Sequence, residues 1–152
     1  MQAATRKRAT WLTSAVASVA GFEGLRTVAY KDPVGIPTIC FGETVGVRMG
    51  DRASIEQCKD MLADSLGKAD AAVMRCTRGP MTDERRAALV SFTYNVGGAA
   101  YCGSTVARKL NAGDVVGGCN QLSRWVYARG VKLPGLVNRR EEERKMCLKG
   151  LT

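Results

Sequence analysis

The spacing of apolar and polar residues changes along the chain, and these changes predict where β-structure gives way to helix. Residues 10–22 form a weakly apolar run that predicts a helix ended by glycines. Between Thr27 and Val47, two β-branched and aromatic stretches, RTVAY and PTICF, flank the turn sequence KDPVGI. This arrangement predicts a hairpin, followed by a glycine-rich turn or a third short strand in GETVGV.

From Ser54 onward the apolar residues recur at helical spacing. Ser54 opens SIEQ, a capping-box sequence, and the apolar stripe continues to Val73, which predicts one long helix over about 54–75. Thr82 precedes a second helical run that a glycine pair stops. Shorter helices are predicted at 104–111, 114–127 and about 136–149.

This order of elements predicts an α+β fold in which a long helix joins a small β lobe to a larger helical lobe, with a cleft between them. A chain of 152 residues suffices for one domain with its own core. We therefore predict a single domain over 1–152, with an N-terminal helix at 1–22, a β lobe at about 25–53 and a helical region at 54–152.

The chain is strongly basic, with 23 Lys and Arg against 14 Asp and Glu and a formal charge of +9. The charge favours an anionic partner: nucleic acid, an anionic membrane face or a cell-wall polymer. No RNA-binding, zinc-finger or helix-turn-helix pattern appears, so nucleic acid is not expected. The chain has no histidine, which excludes Ser-His-Asp and Cys-His catalysis and His-ligated metals. No cofactor or metal is expected.

Six cysteines are scattered at positions 40, 58, 76, 102, 119 and 147. None belongs to a C-x-x-C pair, so the spacing fits neither a zinc ribbon nor a thioredoxin motif. An even, scattered set favours disulfides formed in an oxidising compartment over six buried thiols. The spacing does not choose among the pairings that six cysteines allow.

The first residues permit three interpretations. Arg6, Lys7 and Arg8 precede ATWLTSAVASVAGF, which is compatible with a cleavable signal, a weakly held membrane segment or the first helix of the domain. The stretch is rich in Ala, Ser and Thr and too short for a stable membrane span. We favour the first helix, because cleavage near Ala20 would remove the support beneath Glu23.

The stretch GFEGLRTVAYKDPVGIPT carries the candidate chemistry. Glu23 ends a helix beside Phe22 and Leu25, where apolar packing would raise the pKa of a carboxyl and let it donate a proton. Asp32 lies in an exposed turn and stays ionised, and the Thr38 hydroxyl can hold a water. Two carboxylates in different protonation states are what glycoside hydrolysis requires. The spacing alone is weak evidence and favours ordinary turn and helix-end residues.

The same spacing, together with several later segments, resembles the phage-type lysozymes of glycoside hydrolase family 24. The sequence EGLRTVAYKDPVGIPTI resembles the family's catalytic motif, and ALVSFTYNVG its cleft-lining helix. STVARKLNAGD, CNQLSRWVYARG and GLVNRREEERKMC resemble later segments of the lambdoid-phage endolysins. The likeness runs from about residue 20 to the end and implies a lysozyme-like fold.

Position by position, the resemblance implies that Glu23 is the general acid and that Asp32, assisted by Thr38, orients or activates the water. Arg139 matches a family arginine that is expected to pair with the acid. The alternative is that Arg139 is a solvated charge on the helix surface. The resemblance also implies that Tyr94 and Asn95 contact the sugar chain, with core packing as the alternative for Tyr94. Weaker candidates for the same groove are Ser91, Ser104, Thr105 and Arg124.

Two departures from the T-even branch are expected to matter. Glu43 stands where that branch has histidine, so a structural ion pair is absent or replaced. The cysteines at 40, 58, 119 and 147 resemble those of the lambdoid endolysins instead. That likeness makes the pairs 40–58 and 119–147 plausible and leaves 76–102 as a third. Since no cysteine occupies a catalytic position, a disulfide exchange at the active site is not expected.

The resemblance implies a monomeric muramidase that cleaves the β-1,4 bond between N-acetylmuramic acid and N-acetylglucosamine in the host periplasm. The N-terminal run resembles a shortened signal-anchor-release segment, which implies transient inner-membrane association; export by a holin or by that segment stays open. A lytic transglycosylase and a non-catalytic basic binding module are the alternatives. A transglycosylase needs only one acid, so Asp32 and Thr38 favour hydrolysis.

Overall fold

A computed structural model describes the backbone of residues 2–150 and the side chains of residues 10–150. Two antiparallel hairpins and seven α-helices account for most of this part of the chain. The helices are α1 (Gln2–Glu23), α2 (Ile55–Cys76), α3 (Asp83–Val96), α4 (Gly98–Cys102), α5 (Thr105–Asn111), α6 (Val115–Gln121) and α7 (Pro134–Leu148). The strands are β1 (Arg26–Lys31), β2 (Pro37–Cys40), β3 (Tyr127–Ala128) and β4 (Val131–Lys132).

The predicted α+β architecture is confirmed. β1 and β2 form the small lobe, in register through the pairs Tyr30–Thr38 and Lys31–Pro37. α2 leaves this lobe and runs into the helical lobe. Its start is fixed by the predicted capping box, in which the Ser54 hydroxyl accepts from the Gln57 amide at 3.1 Å and the Gln57 side chain accepts from the Ser54 amide at 2.8 Å.

Helix α3 forms the centre of the helical lobe. Its residues from Ala87 to Thr93 are all buried, as expected for a helix that is covered on every side. α1 lies against it and buries Trp11, Ala15 and Val19, which are spaced four residues apart and therefore share one face. α7 packs on α3 as well, so the ends of α1 and α7 meet on the same central helix.

The N-terminal segment is helical, as favoured from the sequence. The side chains of Arg6, Lys7 and Arg8, which suggested a signal or anchor, lie outside the described residues. Across the described part of the chain, no helix is both long enough and apolar enough to cross a membrane.

One predicted helix is wrong in its second half. The helix expected over 114–127 ends at Gln121, and a 3-10 turn at Leu122–Arg124 leads into the β3–β4 hairpin. Arg129 and Gly130 form its two-residue loop, both with positive φ, the backbone conformation that tight hairpins require. The short helix α4 was not predicted either, because the preceding glycines were interpreted only as a stop.

Three disulfides connect these elements. Cys40–Cys58 joins β2 to α2, Cys76–Cys102 joins the end of α2 to α4, and Cys119–Cys147 joins α6 to α7. These are the pairs that the resemblance suggested, and all six cysteines take part. The long α2 is thus tied to both lobes.

Candidate active site

Glu23 is the last residue of α1, and Arg139 on α7 fixes one of its carboxylate oxygens. Arg139 Nη1 donates to Glu23 Oε1 at 2.6 Å, and Arg139 Nη2 donates to the Ser91 carbonyl at 3.2 Å. The guanidinium also lies 4.9 Å from the centre of the Phe22 ring. The Glu23 side chain keeps 24% of its surface exposed, against 5% for Arg139. The pair therefore has a buried cation and a carboxylate that faces outward.

The second oxygen of Glu23 lies close to the backbone of Gly42, just after β2. Gly42 has a φ of +95°, and a Cβ atom built there would lie 3.1 Å from Glu23 Oε2 and 3.9 Å from the Tyr94 hydroxyl. Glycine is needed here for the backbone conformation and for the space beside the carboxylate. The sequence did not single out this position.

The apolar surroundings predicted for Glu23 are wrong. Leu25 is 40% exposed, and the Phe22 ring packs on the Arg139 guanidinium. The neighbours of the carboxylate are instead a cation, a glycine backbone and a tyrosine hydroxyl. The reason lies in the long-range packing of α7 and β2 against the end of α1, which neighbouring residues in the sequence do not reveal.

Asp32 lies at the turn of the first hairpin and its carboxylate holds that turn together. Asp32 Oδ1 accepts from the backbone amides of Val34 and Ile36, each at 2.9 Å. This is a typical role for Asp in a turn. Both bonds end on Oδ1, so Oδ2 has its lone pairs available. Asp32 is half-buried.

Thr38 lies in β2, directly after the same turn. Its side chain is only 4% exposed, and its hydroxyl donates to the Ile36 carbonyl at 2.9 Å. The Asp32 amide donates to that same carbonyl at 3.0 Å. Because the proton of the Thr38 hydroxyl is engaged, its oxygen is left as an acceptor. The two residues are therefore positioned through one shared carbonyl group, at the far end of β1 from Glu23.

Glu43 and Tyr94 form a polar bridge between the lobes. The Tyr94 hydroxyl donates to the Phe41 carbonyl at 2.9 Å and lies 3.3 Å from Glu43 Oε1. Ser65 on α2 donates to Glu43 at 2.9 Å. Burial, with Glu43 and Glu23 nearby, raises the pKa of Tyr94, so the phenol stays protonated and acts as a donor. Hydroxyl groups from α2 and α3 thus bind the Glu43 carboxylate.

The structure does not bring all the predicted sugar contacts to the Glu23 side chain. Ser104 is 5% exposed and its hydroxyl caps α5 through the Ala107 amide at 3.1 Å, so that prediction is not supported by its position. Thr105 is half-buried and accepts from Arg108 at 3.1 Å. Asn95 is exposed but its side-chain oxygen accepts from Arg140. Arg124 is exposed. Ser91 is fully buried.

Two residues of the site were missed. Arg140 and Glu143 were not singled out from the sequence, yet they are 1% and 0% exposed and pair at 2.8 Å. Helical spacing could have found them, because residues three and four apart share a face and place Glu143 beside both Arg139 and Arg140. Among the described residues, no cluster of three or more cysteines or carboxylates is arranged to hold a metal ion.

Comparison with known proteins gives a consistent result. Residues 20–143 match the sequence model of the family described as phage lysozyme. The chain is 40% identical to the SAR-endolysin of bacteriophage PS119 over 131 residues, which cover 86% of this chain and 78% of the relative. It is also 40% identical to the SAR-endolysin of Pseudomonas phage phiKMV over 141 residues, covering 90% and 88% of the two chains.

A solved structure supports the same relationship. The endolysin from Escherichia coli O157:H7 phage FAHEc1 superposes with a TM-score of 0.84 at 35% identity, covering 91% of this chain and 92% of that one.

Proposed function

The chain belongs to the phage lysozyme family, and from this premise we propose that Glu23 is the general acid with which it cleaves peptidoglycan. The protein is an endolysin-type muramidase that hydrolyses the β-1,4 bond between N-acetylmuramic acid and N-acetylglucosamine. The observation that supports Glu23 is its placement. Arg139 holds Oε1, while Oε2 lies beside Gly42, where it can carry the proton that goes to the leaving oxygen.

Asp32 supplies the second carboxylate of the proposed reaction. Its Oδ2 can accept a hydrogen bond from the attacking water, while its Oδ1 is held by Val34 and Ile36. The Thr38 oxygen is a further acceptor for the same water. A general acid and a carboxylate that activates water are together sufficient for glycoside hydrolysis. Retention or inversion depends on the separation of the two carboxyl groups when substrate is bound.

The formal charge of +9 suits a polyanionic wall, whose carboxylates attract a basic enzyme. Exposed Arg124 and Asn95 and half-buried Thr105 are the proposed contacts with the glycan or its substituents, and Tyr94 shapes the groove through Phe41 and Glu43. We propose that the enzyme acts as a monomer, with one single-domain chain over 1–152. Its SAR-endolysin relatives imply export to the periplasm, either by a holin or by the N-terminal segment, and we propose transient inner-membrane contact through that segment.

Glu23→Gln tests the proposal directly. The amide keeps the shape of the side chain but has no acid proton to donate, so we expect lysis of outer-membrane-stripped Gram-negative cells to fall by about 100-fold or more. Binding to purified cell walls should persist. Glu56→Gln is the matched control, since Glu56 is 82% exposed at the start of α2. Lysis by the Glu23 variant at near wild-type rate would refute the assignment.

A lytic transglycosylase is the second candidate, because it also uses a single acid. It would form an anhydro sugar, whereas hydrolysis leaves a reducing end. Mass spectrometry of the products separates the two, since the anhydro product lacks the mass of one water. Asp32 and Thr38 support hydrolysis, because a transglycosylase has no water to activate.

A further inference from the structure

A buried network of charges stands directly behind the Glu23 carboxylate. Glu143, which is fully buried, has its carboxylate 3.7 Å from Arg139 Nε and 2.8 Å from Arg140 Nη1. Arg139 Nη1 in turn contacts Glu23 at 2.6 Å. The Arg139 guanidinium therefore lies between two carboxylates, one partly exposed and one inside the protein.

The other groups that face Glu143 define its environment. On its own helix these are Arg139 and Arg140; from α3 it is the Ser91 hydroxyl, and from α1 it is Glu23. Arg140 is held in addition by Asn95 and lies 4.9 Å from the centre of the Phe92 ring. Two cations and two carboxylates thus form a formally neutral group, and three of the four are almost completely removed from solvent.

We propose that Glu143 is a positioning residue for the muramidase reaction: by sharing Arg139 with Glu23, it sets how strongly Arg139 favours the ionised form of the acid. The proposal rests on Glu23 being the general acid. When Glu143 carries its negative charge, it offsets part of the positive charge beside Glu23. When Glu143 is neutral, the two buried arginines act on Glu23 alone, and the ionised form of Glu23 is favoured.

The charge of Glu143 changes in the pH range in which such an enzyme works. Burial raises the pKa of Glu143 to about 7, and this outweighs the opposing effect of Arg140 and Arg139. Above that pH, Glu143 becomes negative and helps Glu23 to keep its proton. The negative charge that Glu143 places behind Arg139 is therefore absent at low pH and present above about pH 7.

Glu143→Gln fixes this position in the neutral state with little change of shape. We expect the alkaline limb of the kcat/KM profile to move to lower pH by about one unit, so that the ratio of wild-type to variant activity rises about tenfold between about pH 5.5 and about pH 8. Glu142→Gln, with a side chain 59% exposed on the same helix, is the matched control and should give a flat ratio. A purely structural role would lower activity equally at every pH.

A charge-compensated variant separates electrostatics from damage to the fold. Arg140→Gln combined with Glu143→Gln removes one cation and one carboxylate, so we expect the alkaline limb to return toward its wild-type position. The proposal would be overturned if the alkaline limb of the double variant had the same pH position as that of Glu143→Gln. A flat activity ratio for Glu143→Gln would also overturn it.

A measurement on the unaltered protein covers the case in which the single variant fails to fold. The 13C signals of the Glu23 and Glu143 carboxyl carbons should titrate with shared inflections, because each senses the charge of the other. Independent curves would overturn the proposal. Failure of this proposal can be distinguished from failure of the proposed function. If only the role of Glu143 is wrong, Glu23→Gln is still inactive at about pH 5.5, where the Glu143 carboxyl is mostly protonated.

Discussion

Arg139 and Glu23 are 116 residues apart in the chain, and their side chains meet at 2.6 Å. The contact joins the C-terminal helix to the end of the first helix, directly at the proposed acid. Because the Arg139 guanidinium is 5% exposed and also bonded to the Ser91 carbonyl, the position of Glu23 is set by the core of the helical lobe and not by the loop that follows it.

Arg139→Lys tests this arrangement. A lysine keeps the charge but cannot contact Glu23 and the Ser91 carbonyl together with a planar group. We expect kcat to fall by about 100-fold with a small change in KM, because misplacing a catalytic group affects the reaction step most. Arg144→Lys, which alters a partly exposed pair with Glu141 on the same helix, is the control. Equal activity of the two variants would contradict the role given to Arg139.

Gly42→Ala tests the space beside Glu23 Oε2. Alanine at a φ of +95° costs about 1–2 kcal/mol of stability, and its Cβ would also crowd the carboxylate at 3.1 Å. Gly50→Ala is the matched control, because Gly50 has a φ of +98° and nothing within 4 Å of its added Cβ. We expect similar melting temperatures for the two variants, with activity about tenfold lower for Gly42→Ala alone. Similar activities would show that the close approach is unimportant.

Each disulfide is expected to stabilise the fold. Cys40–Cys58 closes a loop with a sequence separation of 18, and Cys119–Cys147 one of 28. Loops of this size correspond to about 3–4 kcal/mol of unfolding free energy. Replacing Cys40 and Cys58 by serine should lower the urea midpoint accordingly, and a reducing agent should lower the wild-type midpoint further. An unchanged midpoint in the reducing agent would contradict the three bonds.

Glu143 makes stability depend on pH in a defined direction. Its pKa rises from 4.5 to about 7 in the folded protein, so between these values the folded state binds the proton more tightly than the unfolded state. Stability from this group is therefore present at low pH and lost as pH rises toward 7. The unfolding free energy of wild type minus that of Glu143→Gln should fall by up to about 3 kcal/mol from about pH 4.5 to about pH 7.5. A constant difference would contradict the shift.

The sequence predicted correctly the elements that are fixed by interactions between residues close together in the chain. The start of α2 follows from SIEQ, since Ser54 and Gln57 satisfy each other's amides. The first hairpin follows from its turn residues, and Asp32 does hold that turn. The β3–β4 hairpin was missed because its strands have only two residues each, too few to show an alternating pattern.

The site was harder to predict, because tertiary packing decides the environment of each side chain. The neighbouring sequence placed Glu23 among apolar residues, and only the family resemblance indicated Arg139, which does contact Glu23 in the structure. Glu143 and Arg140 lie in the run RREEERK, which has the composition of an exposed helix, yet both are buried. Ser104 precedes a helix, and its hydroxyl caps that helix in place of facing a groove. Residue type and spacing gave candidates, and the packing determined which faces they occupy.

The central claim is that Glu23 donates a proton while Asp32 and Thr38 direct a water to the sugar. Digestion of purified peptidoglycan in 18O-labelled water tests this most directly, with the products analysed by mass spectrometry. The account predicts one 18O atom at each new reducing end for the wild-type enzyme, and almost no product from Glu23→Gln. Anhydro sugars without the label, or labelled product from Glu23→Gln at near wild-type rate, would contradict it.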